Sequence, residues 1–163
     1  MNENHLRKLG TTELNFYPMG LGTASFAGVN MVSSNNYKQP SEKNINEIIN
    51  TAIEEVKATE TNKLIIDTSA QYGESEMKIG NYFKNNQDKV NKIYICTKWG
   101  LKFRSDDFAV QDYSLKNLKE SLKNSVKLLK KIDLYYIHTN PSVNSETLKS
   151  ILDPNNEVIN FLK

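Results

Sequence analysis

The chain has 163 residues, 38% of them apolar and 25% charged, with 21 Lys and Arg against 19 Asp and Glu for a net charge of +2. This is the size and composition of one globular domain, so residues 1–163 are read as a single unit, and extended disorder or a collagen-like repeat is excluded. The positive excess is too slight and too dispersed to make nucleic acid or an anionic membrane the expected partner, and no apolar run approaches the roughly 18 residues that a membrane span needs.

Apolar runs bounded by punctuation residues set out an alternating βα order. Residues 7–15, with Gly10-Thr11-Thr12 between short apolar flanks, predict a small hairpin. Tyr17 to Thr23 (YPMGLGT) predicts a first strand opening into a loop, with Gly22 free to take unusual backbone angles. Residues 24–40 are rich in Ser, Asn and Gly and predict a long loop that Pro40-Ser41 stops and caps. Ile45, Ile48, Ile49, Ala52, Ile53 and Val56 then recur at helical spacing. The unit repeats three times. Lys63 to Asp67 (KLIID) is a second strand, followed by the loop TSAQYG and a helix over 75–85, where Met77, Tyr82 and Phe83 are expected in the core. Lys92 to Lys98 (KIYICTK) is a third strand, followed by a loop and a helix from Ser114 whose expected core face is Leu115, Leu118, Leu122, Val126 and Leu129. Ile132 to His138 (IDLYYIH) is a fourth, followed by short helical stretches. Continuous apolar strands separated by amphipathic helices predict a parallel α/β sheet covered by helices.

In such an architecture the loops at the carboxyl ends of the strands share one rim, where active sites are built. The second strand ends in Asp67, with Tyr72 five residues on; the third ends in Lys98 and the fourth in His138. These four types suit proton transfer. A free phenol is too weak an acid to exchange protons readily near neutrality, and a neighbouring cation favours its ionised form. Lys98 is the candidate cation, Asp67 the carboxylate that keeps it charged and oriented, and His138 a neutral donor that holds a substrate carbonyl oxygen beside the phenol of Tyr72. Carbonyl reduction is the reaction this suits, with Tyr72 protonating the oxygen as a hydride from a cofactor reaches carbon.

The same residues resemble a known family, the aldo-keto reductases. RKLGTTELNFYPMGLGTAS is similar to that family's amino-terminal hairpin and first strand, and IIDTSAQYGESEMKIG to its signature D-T-A-x-x-Y-G-x-S-E-x-x-L-G. IYICTKWG resembles the strand of the family's lysine, and SLKNLKESLKNSVKLLKKIDLYYIHTNPS the helix and strand of its histidine. The resemblance implies that Asp67, Tyr72, Lys98 and His138 are catalytic and that NADPH, or alternatively NADH, donates the hydride. It places Gly22, Thr23 and Asp67 beside the nicotinamide, makes Phe26 and Trp99 candidate pocket walls, and calls for a small carbonyl substrate and no metal. It further implies a parallel (βα)4 half of a TIM-type (β/α)8 barrel with an amino-terminal β-hairpin, since the family's barrels have eight units and this sequence supplies four. The family's remaining cofactor loops lie in the other half. An open half-barrel exposes sheet edges and apolar inner strand faces, so self-association or a separate carboxyl-terminal half is the expected partner. The alternative reading is a catalytically inactive half-barrel remnant or an interaction module.

Other features have ordinary explanations. A lone cysteine, Cys96, forms no internal disulfide, and inside a strand it reads as a buried small hydrophobe. The start MNENHLRKLG lacks the basic segment, apolar run and cleavage site of a secretory signal, so a cytoplasmic location is expected. Two histidines and one cysteine leave no Cys/His metal cluster, and His5 reads as terminus. The lysines opposite the leucine stripe of the third helix read as a solvated face.

Overall fold

The structure is a computed structural model, and it describes residues 6–27, 40–103, 109–139 and 143–163. His5 and most of the expected loop over 24–40 fall outside these residues. Strands β1 (Arg7–Lys8), β2 (Asn15–Gly22), β3 (Lys63–Asp67) and β4 (Ile93–Trp99) belong to one five-stranded sheet. The fifth member, two short strands further along the chain, is β7 (Leu134–Ile137), and the order across the sheet is β1-β2-β3-β4-β7. β1 turns back antiparallel on the start of β2, pairing Arg7 with Phe16 and Lys8 with Asn15, which is the expected hairpin. All other pairings in this sheet are parallel.

The helices are α1 (Glu42–Glu55), α2 (Ser75–Asn85), α3 (Leu115–Leu129), α4 (Ser145–Leu152) and α5 (Glu157–Leu162). Ser41 and Ser114 cap α1 and α3, their hydroxyls accepting the N–H groups of Asn44 and Asn117, so two orphan donors are satisfied where the sequence places a cap. The main core joins Ile45, Ile49 and Ile53 of α1 and Ile79, Tyr82 and Phe83 of α2 to Leu64 and Ile66 of β3, Ile93 and Ile95 of β4, and Leu129 of α3. Side chains alternate along a strand. Since Leu64, Ile66, Ile93 and Ile95 face the helices, Lys63, Ile65 and Asp67 of β3 and Tyr94, Cys96 and Lys98 of β4 face the other way.

That second face differs from the expected apolar surface. Tyr94 and Cys96 on the interior strand β4 are buried, at 8% and 1% exposure. The amino-terminal hairpin covers Tyr94, whose phenol meets the Asn15 backbone, and the Lys63 ammonium stands 4.8 Å from its ring centroid. Cys96 lies against Tyr136 of β7, and burial pushes its thiol up to about 12, far from a reactive thiolate. On the same face Tyr136 of the edge strand is 40% accessible.

Three expectations about the helices change. Met77 is exposed rather than core, because Glu76, Ile79, Gly80 and Phe83 form the buried side of α2. Ile48 of α1 is likewise more than a third exposed. Val126 is 46% exposed, and Ser125 is fully buried in its stead. The α3 face is rotated by one residue so that the Ser125 hydroxyl donates to the buried Glu76 carboxylate, at 3.1 Å. The loop expected between β4 and α3 also contains structure, a hairpin of β5 (Leu101–Phe103) and β6 (Ala109–Gln111).

Gly80 sits where α2 meets α3. A Cβ there would lie 2.1 Å from the Leu128 carbonyl oxygen, which is backbone and cannot swing aside. Gly80→Ala is expected to force the two helices apart at a cost of about 1–3 kcal/mol despite its better helix propensity, measured as a lower urea midpoint at unchanged slope.

Candidate active site

The parallel register sets Gly22 level with Asp67, Asp67 level with Cys96, and Lys98 level with Tyr136. Lys98 and His138 therefore each stand two residues beyond the level of Asp67 and Tyr136 on the same face, a stagger of about 7 Å that a lysine side chain can span. The Lys98 ammonium reaches back to donate to Asp67 Oδ2 at 2.7 Å and to the Thr68 carbonyl at 2.8 Å. It is largely enclosed, with its side chain 16% exposed, whereas Asp67 is 40% exposed. The ammonium also stands 4.9 Å from the ring centroid of Tyr72. His138 meets that ring edge-on, with centroids 6.0 Å apart at 88°. Asp67, Tyr72, Lys98 and His138 are thus brought together.

Their surroundings are polar and internal. The Ser69 hydroxyl lies 3.1 Å from His138 Nδ1 and also accepts the Gln71 N–H. The His138 carbonyl accepts from the Tyr113 hydroxyl at 3.3 Å. Burial holds the His138 imidazole below its ordinary value; the Lys98 charge acts in the same direction and Asp67 opposes it. Tyr72 is followed by Gly73 at φ +49°, where a Cβ would lie 2.4 Å from the Ala27 carbonyl oxygen, so the turn can close against the end of the β2 loop only with glycine.

Gly22, Thr23, Ala24, Ser25, Asp67 and Tyr72 line an open cleft of about 380 Å³. Gly22 has nothing within 4 Å of where a Cβ would stand, so a flat ring can lie directly on its backbone. Thr23 is fully buried and donates both its N–H and its hydroxyl to the Asp67 carbonyl. Two expected pocket walls are placed elsewhere. Phe26, on a short 3-10 turn after β2, is 1% exposed in the main core. Trp99, also 1% exposed, packs with Leu118 and Val158 and stacks edge-on with Tyr113, because the residue after Lys98 on the strand must face the helices. Thr68 and Ser69 are contact residues that the sequence reading left as loop; a hydroxyl pair directly after a strand-terminal aspartate is the signal that marks them.

Among the described residues no group of three or more His, Cys, Asp or Glu gathers in a way that could hold a metal ion, and no helix is long and apolar enough to cross a membrane.

The sequence profile of the Aldo/keto reductase family matches residues 18–162. The chain belongs to this family. Two solved structures described as aldo-keto reductases from Pseudomonas aeruginosa align over 96% of this chain, one at 26% identity with a TM-score of 0.71, the other at 28% and 0.72. A glycerol dehydrogenase from Gluconobacter oxydans aligns over 93% of the chain at 21% identity with a TM-score of 0.66, a likeness of fold. The chain spans 53%, 52% and 44% of these three proteins, so its sheet and helices form about half of a TIM-type barrel. No curated protein matches the chain.

The His138 imidazole is expected to titrate below 6.5 by proton NMR, and Lys98→Met is expected to move it upward by removing the repelling charge. Because the folded chain resists protonating it, the stability this group contributes is complete above about 6.5 and falls as pH drops toward the folded value, which pH-dependent urea denaturation would register.

Proposed function

We propose that this chain carries the proton-transfer half of an NAD(P)H-dependent reduction of aldehydes or ketones to alcohols, with Tyr72 as the acid. The observation that carries this reading is the Lys98 ammonium, bonded to Asp67 at 2.7 Å and 4.9 Å from the Tyr72 ring centroid, with His138 at the ring's edge. A reduction by hydride leaves negative charge on the substrate oxygen. A phenol beside a fixed cation supplies the proton where that charge forms.

His138 is suited to orient the carbonyl. Ser69 Oγ accepts the Gln71 N–H, and in this reading its own hydrogen goes to His138 Nδ1, 3.1 Å away. A neutral imidazole that accepts at Nδ1 carries its proton on Nε2, and that N–H is the donor for a substrate oxygen. Its lowered basicity keeps it neutral at physiological pH. Asp67 holds the ammonium in place and neutralises it, so the phenol is not left facing an uncompensated buried charge.

A nicotinamide cofactor supplies a hydride when bound. The cleft beside Gly22, Thr23, Asp67 and Tyr72 fits the flat end of such a group, since Gly22 presents bare backbone and about 380 Å³ is available. NADPH is the expected form, with NADH the alternative. β2 beyond its hairpin and β7 are the two ends of the parallel run, and the solved relatives are about twice as long as this chain. In this reading a second half-barrel, a separate carboxyl-terminal half or another copy of this chain, covers the open side.

The test pairs the chain with the carboxyl-terminal half of one of the Pseudomonas aeruginosa relatives and follows NADPH oxidation across an aldehyde panel. Tyr72→Phe is expected to lower the rate by at least about 100-fold while NADPH still quenches the fluorescence of Trp99, the single tryptophan, with the same midpoint. Turnover undiminished by Tyr72→Phe would remove the phenol from the mechanism. The absence of saturable quenching in the paired protein would remove the cofactor.

A further inference from the structure

The first turn of α2 holds a buried carboxyl group that the proposed reaction does not use. Glu76 is 3% exposed. Its Oε1 accepts from the Thr97 hydroxyl at 2.6 Å and its Oε2 from the Ser125 hydroxyl at 3.1 Å. Thr97 and Ser125 are themselves fully buried. One side chain therefore ties α2 to β4 in one direction and to α3 in the other.

The β4 link is placed beside the site. Thr97 directly precedes Lys98 on the strand and points toward the helices, so whatever fixes Thr97 fixes the backbone from which Lys98 projects. Four residues before Glu76 stands Tyr72, in the loop that runs from Asp67 into α2. That loop is short and internally bonded: Tyr72 N–H donates to the Ser69 carbonyl and Ser75 N–H to the Tyr72 carbonyl. These bonds join the loop to the first turn of α2. The Tyr72 loop is thus held to β4 by the strut from Glu76 to Thr97, beside the Thr68 N–H bond to the Cys96 carbonyl, the Lys98 bond to the Thr68 carbonyl and the Gln71 side-chain amide's bond to the Leu101 carbonyl.

We propose that Glu76 is a positioning residue: through its bond to Thr97 it locks the Tyr72 loop against the strand that carries Lys98. The proposal rests on the reading of Tyr72 and Lys98 as partners in proton transfer. Burial pushes the Glu76 carboxyl above the ordinary carboxylate range while the two hydroxyls pull it back. The acceptor thus depends on donors that no solvent replaces, which makes the strut stiff. The same loop carries Ser69, whose hydroxyl meets His138 Nδ1, so a shift of the loop against β4 also changes the packing on the imidazole.

The two arms of Glu76 separate positioning from mere stability. Thr97→Val and Ser125→Ala each leave the buried carboxylate one donor short, and both are expected to lower the thermal midpoint by similar amounts. Their effects on the site differ. His138 faces Ser69 and Tyr72 from the loop, Lys98 from β4 and Asp67 from β3, and its titration by proton NMR reports on that packing. Thr97→Val is expected to raise the His138 midpoint by about half a unit or more as water reaches the ring, Ser125→Ala to leave it in place, and Thr97→Ser to restore the wild-type value. If Thr97→Val does not fold, Glu76→Asp, which draws the carboxylate back by one methylene, takes its place with the same expected shift. An unmoved His138 titration in the folded variant, or equal shifts from both arms, would overturn the proposal. The imidazole titration needs no turnover, so a failure to reduce aldehydes counts against the proposed reaction and leaves the strut to be judged on its own result.

Discussion

The constraint on which the rest of the site depends is the burial of two consecutive polar residues at the start of α2. Ser75 and Glu76 leave the helix about 100° apart, so they address different neighbours. Ser75 donates toward the Thr23 hydroxyl at 2.9 Å and lies 3.0 Å from the Thr68 hydroxyl, joining the ends of β2 and β3. Glu76 reaches β4 and α3. Thr23, Thr68, Ser75, Thr97 and Ser125 are all fully buried, so each of these bonds forms where water does not compete and an unmade one would cost a full desolvation penalty. Hydrophobic packing of the isoleucines holds the sheet to the helices, but it is indifferent to small slips. A belt of paired hydroxyls is not, and it lies directly behind the strand ends that carry the charged residues.

The electrostatics of the rim follow from that enclosure. The Lys98 ammonium is mostly withdrawn from water and is compensated by one carboxylate and one carbonyl, an arrangement that keeps a cation in place. His138 shares the enclosure and the field of the same cation, and both effects resist its protonation. A neutral imidazole, a fixed cation and a phenol within one cluster are therefore consequences of depth and register more than of any single contact. Asp67 remains more accessible than Lys98, facing the cleft beside Gly22 and Thr23.

Much of this was legible in the sequence because it rests on periodicity. KLIID and IYICTKW alternate between helix-facing and open positions, the caps at Ser41 and Ser114 announce their helices, and a residue just past the end of each strand must lie on the common rim. What failed to show depends on partners far along the chain. Ser125 and Val126 are adjacent on α3, and composition favours the valine for the core; the buried acceptor 49 residues earlier decides for the serine. Trp99 looks like a pocket wall until the strand's alternation is followed one residue beyond Lys98. Phe26 is turned into the core by the 3-10 turn that follows Thr23, a local bend that the Ser- and Gly-rich composition conceals. The β5–β6 hairpin is three residues per strand, too short for a hydrophobic period to register. Both α3 and the end of α1 close on lysines with positive φ, Lys130 at 67° and Lys57 at 48°, where a glycine would have marked the stop.

The contacts that fix the four rim side chains all originate between Thr23 and His138. Lys98 is held by Asp67 and Thr68, His138 by Ser69 and Tyr113, the Tyr72 turn by Ala27 and Gly73, and the belt behind them by α2 and α3. None of these bonds reaches across the open face of the sheet. The geometry of the rim is thus a property of this half of the barrel. What a second half would add is enclosure, and enclosure would change the strength of the interactions rather than their arrangement: excluding water from the open side lowers the local dielectric, which strengthens the Lys98 to Asp67 pair and further disfavours charge on His138. The hydroxyls of Thr23, Thr68, Ser75, Thr97 and Ser125 are bonded on the helix side, while Tyr136 and Asp67, on the inner side, are still partly in water, the side that a second half would enclose.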